Sequence, residues 1–373
     1  MHEHDWTRRD FLSALGATAF ASVLPAQKTA TPAGNAAFLH VAVLSSAHRG
    51  FIRTFALERD HCEPVATAST ELPVALAVHP KLSVIYVANG CDTWEHRPRA
   101  TVEAFFFDNK SGQLRSMARC ALSLSATGPR SIEVSPDGAY LLVAAFDGGA
   151  WNAFALDAEG LPATQPVAFK EAGRGLWPLE QDAAHPSALL AHSQEPLLLA
   201  SDYGTDRLSL LRAGTDGFSV EHRYQLPPGS GPTHLGVKSD LLVVSTALRP
   251  SLQTFRVQRG SHPDLVPLAS TGVDRRQTAL AVHPNADVVY TADAASFTAW
   301  HVEHEAGGLH RLGVRRLHAT AVSAMALHGN SGLWFATSEG LLRTALDPVT
   351  GGLHETSQIV TLAGARALRV QEL

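Results

Sequence analysis

Hydrophobic and polar positions alternate along most of the chain in one recurring unit: an apolar run, a short polar turn and a second apolar run. Residues 75–80 precede 84–89, 131–138 precede 140–145, and 188–192 precede 197–202. The same pattern continues with 234–238 before 241–245, 279–284 before 288–293, and 323–328 before 333–337. Period-2 alternation bounded by a polar turn predicts antiparallel strand pairs. With His79, Ser135, His192, Lys238, His283 and His328 as turn anchors, the unit recurs every roughly 45–57 residues, the spacing of a propeller blade. Each pair runs on into a third strand, such as 153–156 or 208–211, and then a looser fourth. Six anchors leave one blade to place. Residues 38–43 and 51–55 open the repeat without an inner strand, and residues 365–370 read as that strand. The prediction is an all-β chain, a seven-bladed β-propeller over residues 38–373. Its C-terminal strand closes the ring on the first blade and hides two sheet edges at once. No helical period competes with this after the N-terminal segment.

That segment has its own grammar. Thr7-Arg8-Arg9-Asp10-Phe11-Leu12 leads into the apolar residues 15–24 and then Pro25-Ala26. A charged start, a short apolar stretch and a small residue make an export signal rather than a transmembrane helix. The adjacent arginines read as a twin-arginine signal over residues 1–26, followed by a polar linker over 27–37. No later stretch approaches the about 18 uncharged apolar residues of a span. The expected destination is periplasmic or secreted, with no membrane attachment after cleavage.

Composition narrows the partners. With 45% hydrophobic and 17% charged residues, the 373-residue chain can bury a large core. Thirty Lys and Arg against 35 Asp and Glu give a formal charge of −5, which removes the electrostatic case for nucleic acid. The three cysteines, Cys62, Cys91 and Cys120, are too widely spaced for a disulfide framework or a zinc pattern. His301 and His304 have no third ligand in view, and His2 and His4 precede the signal, so no metal site is expected. There is no G-x-S-x-G, and Gly148-Gly149 lack a following Lys and helix, which excludes serine-hydrolase and nucleotide-binding readings.

The repeat register also places the functional rim. In each blade the start of the first strand and the end of the second lie on the same side, around the central channel. Starts at Pro129-Arg130, Ala184-His185, Pro232-Thr233-His234 and Arg276-Gln277 therefore share a rim with ends at Phe146-Asp147 and Asp202-Tyr203. Arg130 is expected beside Asp147, and His185 beside Asp202. A His next to an Asp with an Arg nearby can activate a water and hold a carbonyl or anionic oxygen. His79, His192, His283 and His328 fall at the opposite turns and follow the repeat, so they are read as structural.

The chain resembles the seven-bladed propeller lactonase family, whose name-giving member is the cycloisomerase-type 6-phosphogluconolactonase. Residues 128–144, beginning Gly128-Pro129-Arg130, carry the likeness. So do Asp202-Tyr203-Gly204-Thr205-Asp206-Arg207, Gly229-Ser230-Gly231-Pro232-Thr233-His234 and Thr350-Gly351-Gly352-Leu353. The resemblance implies hydrolysis of a sugar lactone to its acid without a metal, and no cofactor is expected. It implies His185 and Asp202 as the water-activating pair, with Arg130, Gln181, His234, Asp147 and Asp206 contacting substrate. Several family positions differ. An Arg becomes Glu180, a second His becomes Ser187, the Arg of the G-P-R-H stretch becomes Thr233, a Glu becomes Ala247 and an Asn becomes Ala145. Phosphate recognition leans on Arg, so these losses point to a non-phosphorylated lactone. The alternative from another class is a non-catalytic periplasmic propeller that binds a small molecule or a partner protein.

Overall fold

The computed structural model describes residues 37–46, 48–58, 61–191, 197–214, 217–317 and 321–372. The predicted signal, the predicted linker through residue 36, the anchor His192 and the terminal Leu373 lie outside the described residues. Among those described there is no helix, and 28 strands form seven four-stranded antiparallel sheets. The first strand, Ala37–Leu44, begins one residue before the predicted boundary.

Six sheets are built from four consecutive strands, and the first is not. Its innermost strand is the C-terminal Ala365–Glu372, paired antiparallel with Ala37–Leu44 so that Leu368 stands opposite Val41. The remaining innermost strands are Pro73–Val78, Pro129–Val134, Pro186–Ala191, Pro232–Lys238, Ala279–Val282 and Val322–His328. Each contacts the next, and Ala365–Glu372 touches both Val322–His328 and Pro73–Val78, so the ring is closed.

The core is not one body but seven wedges, one between each pair of neighbouring blades. In Val288–Ala292, Val288, Tyr290 and Ala292 pack against blade seven while Val289 packs against blade five. Both faces of a blade are therefore buried, which is why the second strands read as unbroken apolar runs. Outermost strands such as Leu309–Arg316 are largely exposed and correspondingly polar.

Three of the turn anchors are seam fastenings. Nδ1 of His79 accepts the backbone N–H groups of Lys81 and Leu82, and its Nε2–H donates to the Gly138 carbonyl of the next blade (3.1 Å). His283 repeats this with Asn285, Ala286 and, across the seam, the Asn330 carbonyl (3.0 Å). Lys238 does the same work with an ammonium, donating to the carbonyls of His283, Pro284 and Ala286. The structural reading of His79 and His283 holds.

A third buried histidine fastens the closure itself. His40 is 0% exposed. Its Nε2–H donates to Oε1 of Gln371 on the C-terminal strand (3.2 Å), which leaves Nδ1 to accept the Thr54 hydroxyl (3.0 Å). Burial pushes its pKa down to about 4. The unfolded chain protonates this ring below pH about 6.5, while the folded protein keeps it neutral until about 4. The stability it carries is thus full above the unfolded value and is lost as pH falls through the folded one. Between pH 7 and pH 4.5 the wild type should lose on the order of 2 kcal/mol more than a His40→Gln variant. Urea denaturation at the two pH values measures this, and equal pH losses would remove His40 from the acid response.

Candidate active site

The functional rim is shaped by a repeated backbone irregularity. Near its start the innermost strand slips register by one residue, at Val74, Arg130, Ser187, Thr233, Ser323 and Arg366. A bulge re-aims the extra side chain. At three of these positions a short hydroxyl turns back into the wall. Ser187 donates to the Ser201 and Pro232 carbonyls, Thr233 to the Ser245 carbonyl, and Ser323 to those of Ala336 and Ala365. Arg130 is too long for that and is exposed at the funnel. Its guanidinium carbon lies 3.3 Å from the centre of the Phe146 ring. Burial among the funnel walls lowers its pKa, and the charge of Asp147 opposes that shift. The predicted neighbourhood of Arg130 and Asp147 is therefore present.

His185 lies beside Arg130 through Phe146, whose ring stacks on the imidazole at 4.6 Å and 19°. Nδ1–H of His185 donates to the Phe146 carbonyl (2.9 Å), and Nε2 faces Oδ1 of Asp182 (2.9 Å). Both partners are acceptors only, so a neutral ring satisfies one of them and the protonated ring satisfies both. Asp202 does not touch this ring. Its Oδ1 accepts the backbone N–H groups of His185 (3.0 Å) and Thr205 (2.9 Å), which makes it a turn cap. Its Oδ2 is buried without a hydrogen-bond partner, and burial raises the pKa of the carboxyl. The expected His185–Asp202 pair is thus corrected: Asp202 positions the loop, and the carboxylate at the ring is Asp182.

Two further expected contacts are structural because their side chains are fully satisfied. Gln181 is 0% exposed. Its Oε1 accepts from Leu176 and Trp177, while Nε2 donates to the Tyr203 carbonyl and to Asp206. Asp206, with a left-handed φ of 54°, accepts from Gln181 and from the backbone N–H groups of Gly229 (2.6 Å) and Gly231 (2.7 Å). Neither side chain has an atom left for substrate. They bind the loop of residues 175–181 and the start of blade five to blade four. Gly204 allows this approach, since a Cβ there would stand 1.8 Å from the Ala183 carbonyl oxygen.

His234 does reach the funnel. It is half-buried, and its Nδ1 meets the hydroxyls of Thr233 (3.0 Å) and Ser245 (3.1 Å). Burial, reinforced by the charges of Arg276 and Arg130, pushes its pKa down to about 4. It is neutral at physiological pH and serves as a polar wall. Of the seven expected residues, the funnel thus gathers Arg130, Asp147, His185 and His234. Phe146, Asp182 and Tyr203 also belong to it, as does Arg276. Phe146, Tyr203 and Arg276 stand at rim positions the repeat register marks, and Asp182 follows Gln181 in the loop that precedes the innermost strand Pro186–Ala191. Among the described residues no group of three or more His, Cys, Asp or Glu is placed to hold a metal. No helix there is long and apolar enough to cross a membrane.

Residues 38–247 match the family model described as "Lactonase, 7-bladed beta-propeller". A protein of Arthroderma benhamiae named "Probable 6-phosphogluconolactonase" is 26% identical over 278 residues, covering 65% of this chain and 66% of that protein's length. Two solved structures share the fold. A Bacteroides fragilis protein superposes with a TM-score of 0.80 at 19% identity, covering 90% of this chain and 98% of its own. The periplasmic gluconolactonase of Pseudomonas aeruginosa gives 0.76 at 21% identity, with 90% and 99% covered.

The loop-binding role of Asp206 has a measurable consequence. Asp206→Ala leaves the amides of Gly229 and Gly231 and the Gln181 amide group without their acceptor. A loss of about 3 kcal/mol in stability is expected by denaturant titration. A loss below about 1 kcal/mol would return Asp206 to the list of groups available to a ligand.

Proposed function

We propose, on the premise that this chain belongs to the seven-bladed β-propeller lactonase family, that it hydrolyses a sugar-derived lactone to the open-chain acid. The observation that carries the reading is the Phe146 unit. One residue stacks the Arg130 guanidinium and the His185 ring, and its carbonyl takes the proton-bearing nitrogen of that ring. A carbonyl on Nδ1–H selects the tautomer whose Nε2 lone pair is free to act as a base. Asp182, whose side chain is 65% exposed, is free to yield that position to a water.

In this reading the water gives a proton to Nε2 of His185 as its oxygen attacks the lactone carbonyl carbon. Arg130 holds the carbonyl oxygen as negative charge develops there. The bond between the acyl carbon and the ring oxygen then breaks. The imidazolium returns its proton to that oxygen, leaving a hydroxyl and a carboxylic acid that ionises in water. Asp182 stabilises the transient imidazolium, and Asp202 and Gln181 hold the loop that carries both groups.

His185→Ala should lower kcat for an aldonolactone by about 10²-fold, as for loss of a general base, with little change in stability. Turnover is read by acid release and stability by denaturation. Intact turnover with lost stability would make His185 a loop fastening, and absence of lactone turnover by the wild type would favour the binding-only propeller. The family places no compartment on the chain. We propose twin-arginine export on the strength of Arg8-Arg9 and the apolar residues after them. Replacing both arginines by Lys should leave the precursor in the cytoplasm, and unchanged periplasmic delivery would identify a general secretory signal instead.

A further inference from the structure

The funnel face carries apolar surface that the hydrolytic scheme does not use. Nine large hydrophobic side chains are exposed among the described residues, and three of them fall within four positions: Leu176 (51%), Trp177 (41%) and Leu179 (89%). They sit on the irregular segment 171–185, which runs from the outermost strand of blade three, Val167–Lys170, to the innermost strand of blade four, Pro186–Ala191. Innermost strands start at the funnel, so outermost strands end there, and both ends of this segment lie on the funnel face. Single exposed apolar residues are ordinary, but a contiguous group beside a candidate site marks a binding surface.

The segment is pinned by its backbone. The Gln181 side-chain oxygen accepts the N–H groups of Leu176 and Trp177. The Gln181 N–H donates to the Trp177 carbonyl (2.8 Å), and its carbonyl accepts from Gly175 (3.0 Å). Pro178 fixes one more dihedral between them. The side chains therefore stand out from a held loop, and contacts join them to the reacting groups. A Cβ at Gly229 would stand 2.5 Å from the Trp177 indole and 3.2 Å from Leu176, so both lie against the segment that leads into blade five. A Cβ at Gly231, two residues on, would stand 2.9 Å from the Tyr203 ring and 2.9 Å from Leu248. The Tyr203 ring centre lies 5.5 Å from that of Phe146. Apolar contacts thus lead from the Phe146 unit past Tyr203 and Leu248 to Trp177.

We propose that residues 176–179 form a specificity-determining wall for an apolar arm of the substrate. The lactone ring meets Arg130 and His185, and an alkyl or aryl substituent runs outward past Tyr203 and Leu248 onto Trp177 and Leu179. The substrate class is thereby a lactone with an extended apolar substituent, not a sugar lactone decorated with hydroxyls alone. The inference rests on the lactonase reading. Continuity assigns the surface to substrate, since one segment carries both the wall and, at Asp182 and His185, the proton-transfer groups. An indole suits the task because it offers a large, flat contact area with few rotatable bonds.

The experiment measures kcat and KM for δ-hexalactone, δ-octalactone and δ-decalactone, which differ only in alkyl length, with D-glucono-1,5-lactone beside them. The proteins are the wild type, Trp177→Ala, Trp177→Phe and Leu179→Ser. For the wild type kcat/KM should rise about tenfold along the alkyl series, through KM, as a half-exposed wall covers the added methylenes. Trp177→Ala should remove most of that rise, Leu179→Ser part of it, and Trp177→Phe should keep it. A flat wild-type series, a rise that survives both Trp177→Ala and Leu179→Ser, or turnover of the sugar lactone alone would overturn the wall and leave the lactonase reading standing. Binding of the matching 5-hydroxy acids is measured by calorimetry on the same proteins. If no lactone is opened, affinity that grows with chain length and depends on Trp177 would sustain the wall and end the hydrolytic reading. Affinity independent of chain length would then overturn the wall as well. A flat series together with a dimer in sedimentation that Leu179→Ser dissociates would overturn the wall and assign the patch to a second copy of this chain.

Discussion

Every blade of this protein depends on one strand that arrives last. Ala37–Leu44 pairs with Gly50–Glu58 on one side, which leaves an inner edge of backbone donors and acceptors to fill. Only Ala365–Glu372 fills it, and in doing so it also covers the edge that a seven-unit ring would leave open at its seam. The closing strand is held by more than ladder hydrogen bonds. Leu368 is fully buried in the wedge between blades seven and one, and His40 reaches across to Gln371. A polar contact inside an otherwise apolar seam is favourable only in one register, so His40 adds specificity to a closure that packing stabilises.

With closure in place, burial is distributed around the ring. Each sheet is sandwiched, and neighbouring blades share a wedge of alternating side chains from both. Stability is therefore collective, and no blade buries its faces alone. The turn opposite the funnel links these wedges through His79, His283 and Lys238, whose polar groups satisfy backbone carbonyls of the next blade. At the other rim, the bulge at Arg130 leaves a long side chain facing the channel, while the bulge hydroxyls of Ser187, Thr233 and Ser323 fasten the wall.

Those bulges decide what the funnel can do. A short hydroxyl at a bulge folds into the wall, whereas Arg130 projects onto Phe146. The same position thus supplies either wall or ligand, depending on side-chain length. Around it, buried polar residues that look catalytic in one dimension, Gln181, Asp202 and Asp206, are consumed in holding loops. Their backbone and side-chain hydrogen bonds hold the loops that carry His185 and Tyr203, so they serve the site as its supports.

The architecture was legible in the chain because it is written in a local code repeated many times. Strand alternation, turn anchors at regular spacing, and an unpaired first strand matched by a lone last one are enough to count seven blades and to join Leu368 with Val41. The rim was legible too, since strand direction alone puts Arg130, His185 and Arg276 on one side. What sequence could not settle was which atom of each residue is already spoken for. Asp202 lies beside His185 as the register requires, yet it meets the backbone amide and leaves the ring to Asp182. Gln181 and Asp206 match a family pattern, yet every hydrogen-bonding group they own is used within the loops. Hydrogen-bond allocation is settled by ångström-scale orientation across blades, between residues far apart in sequence, and only the tertiary structure determines that.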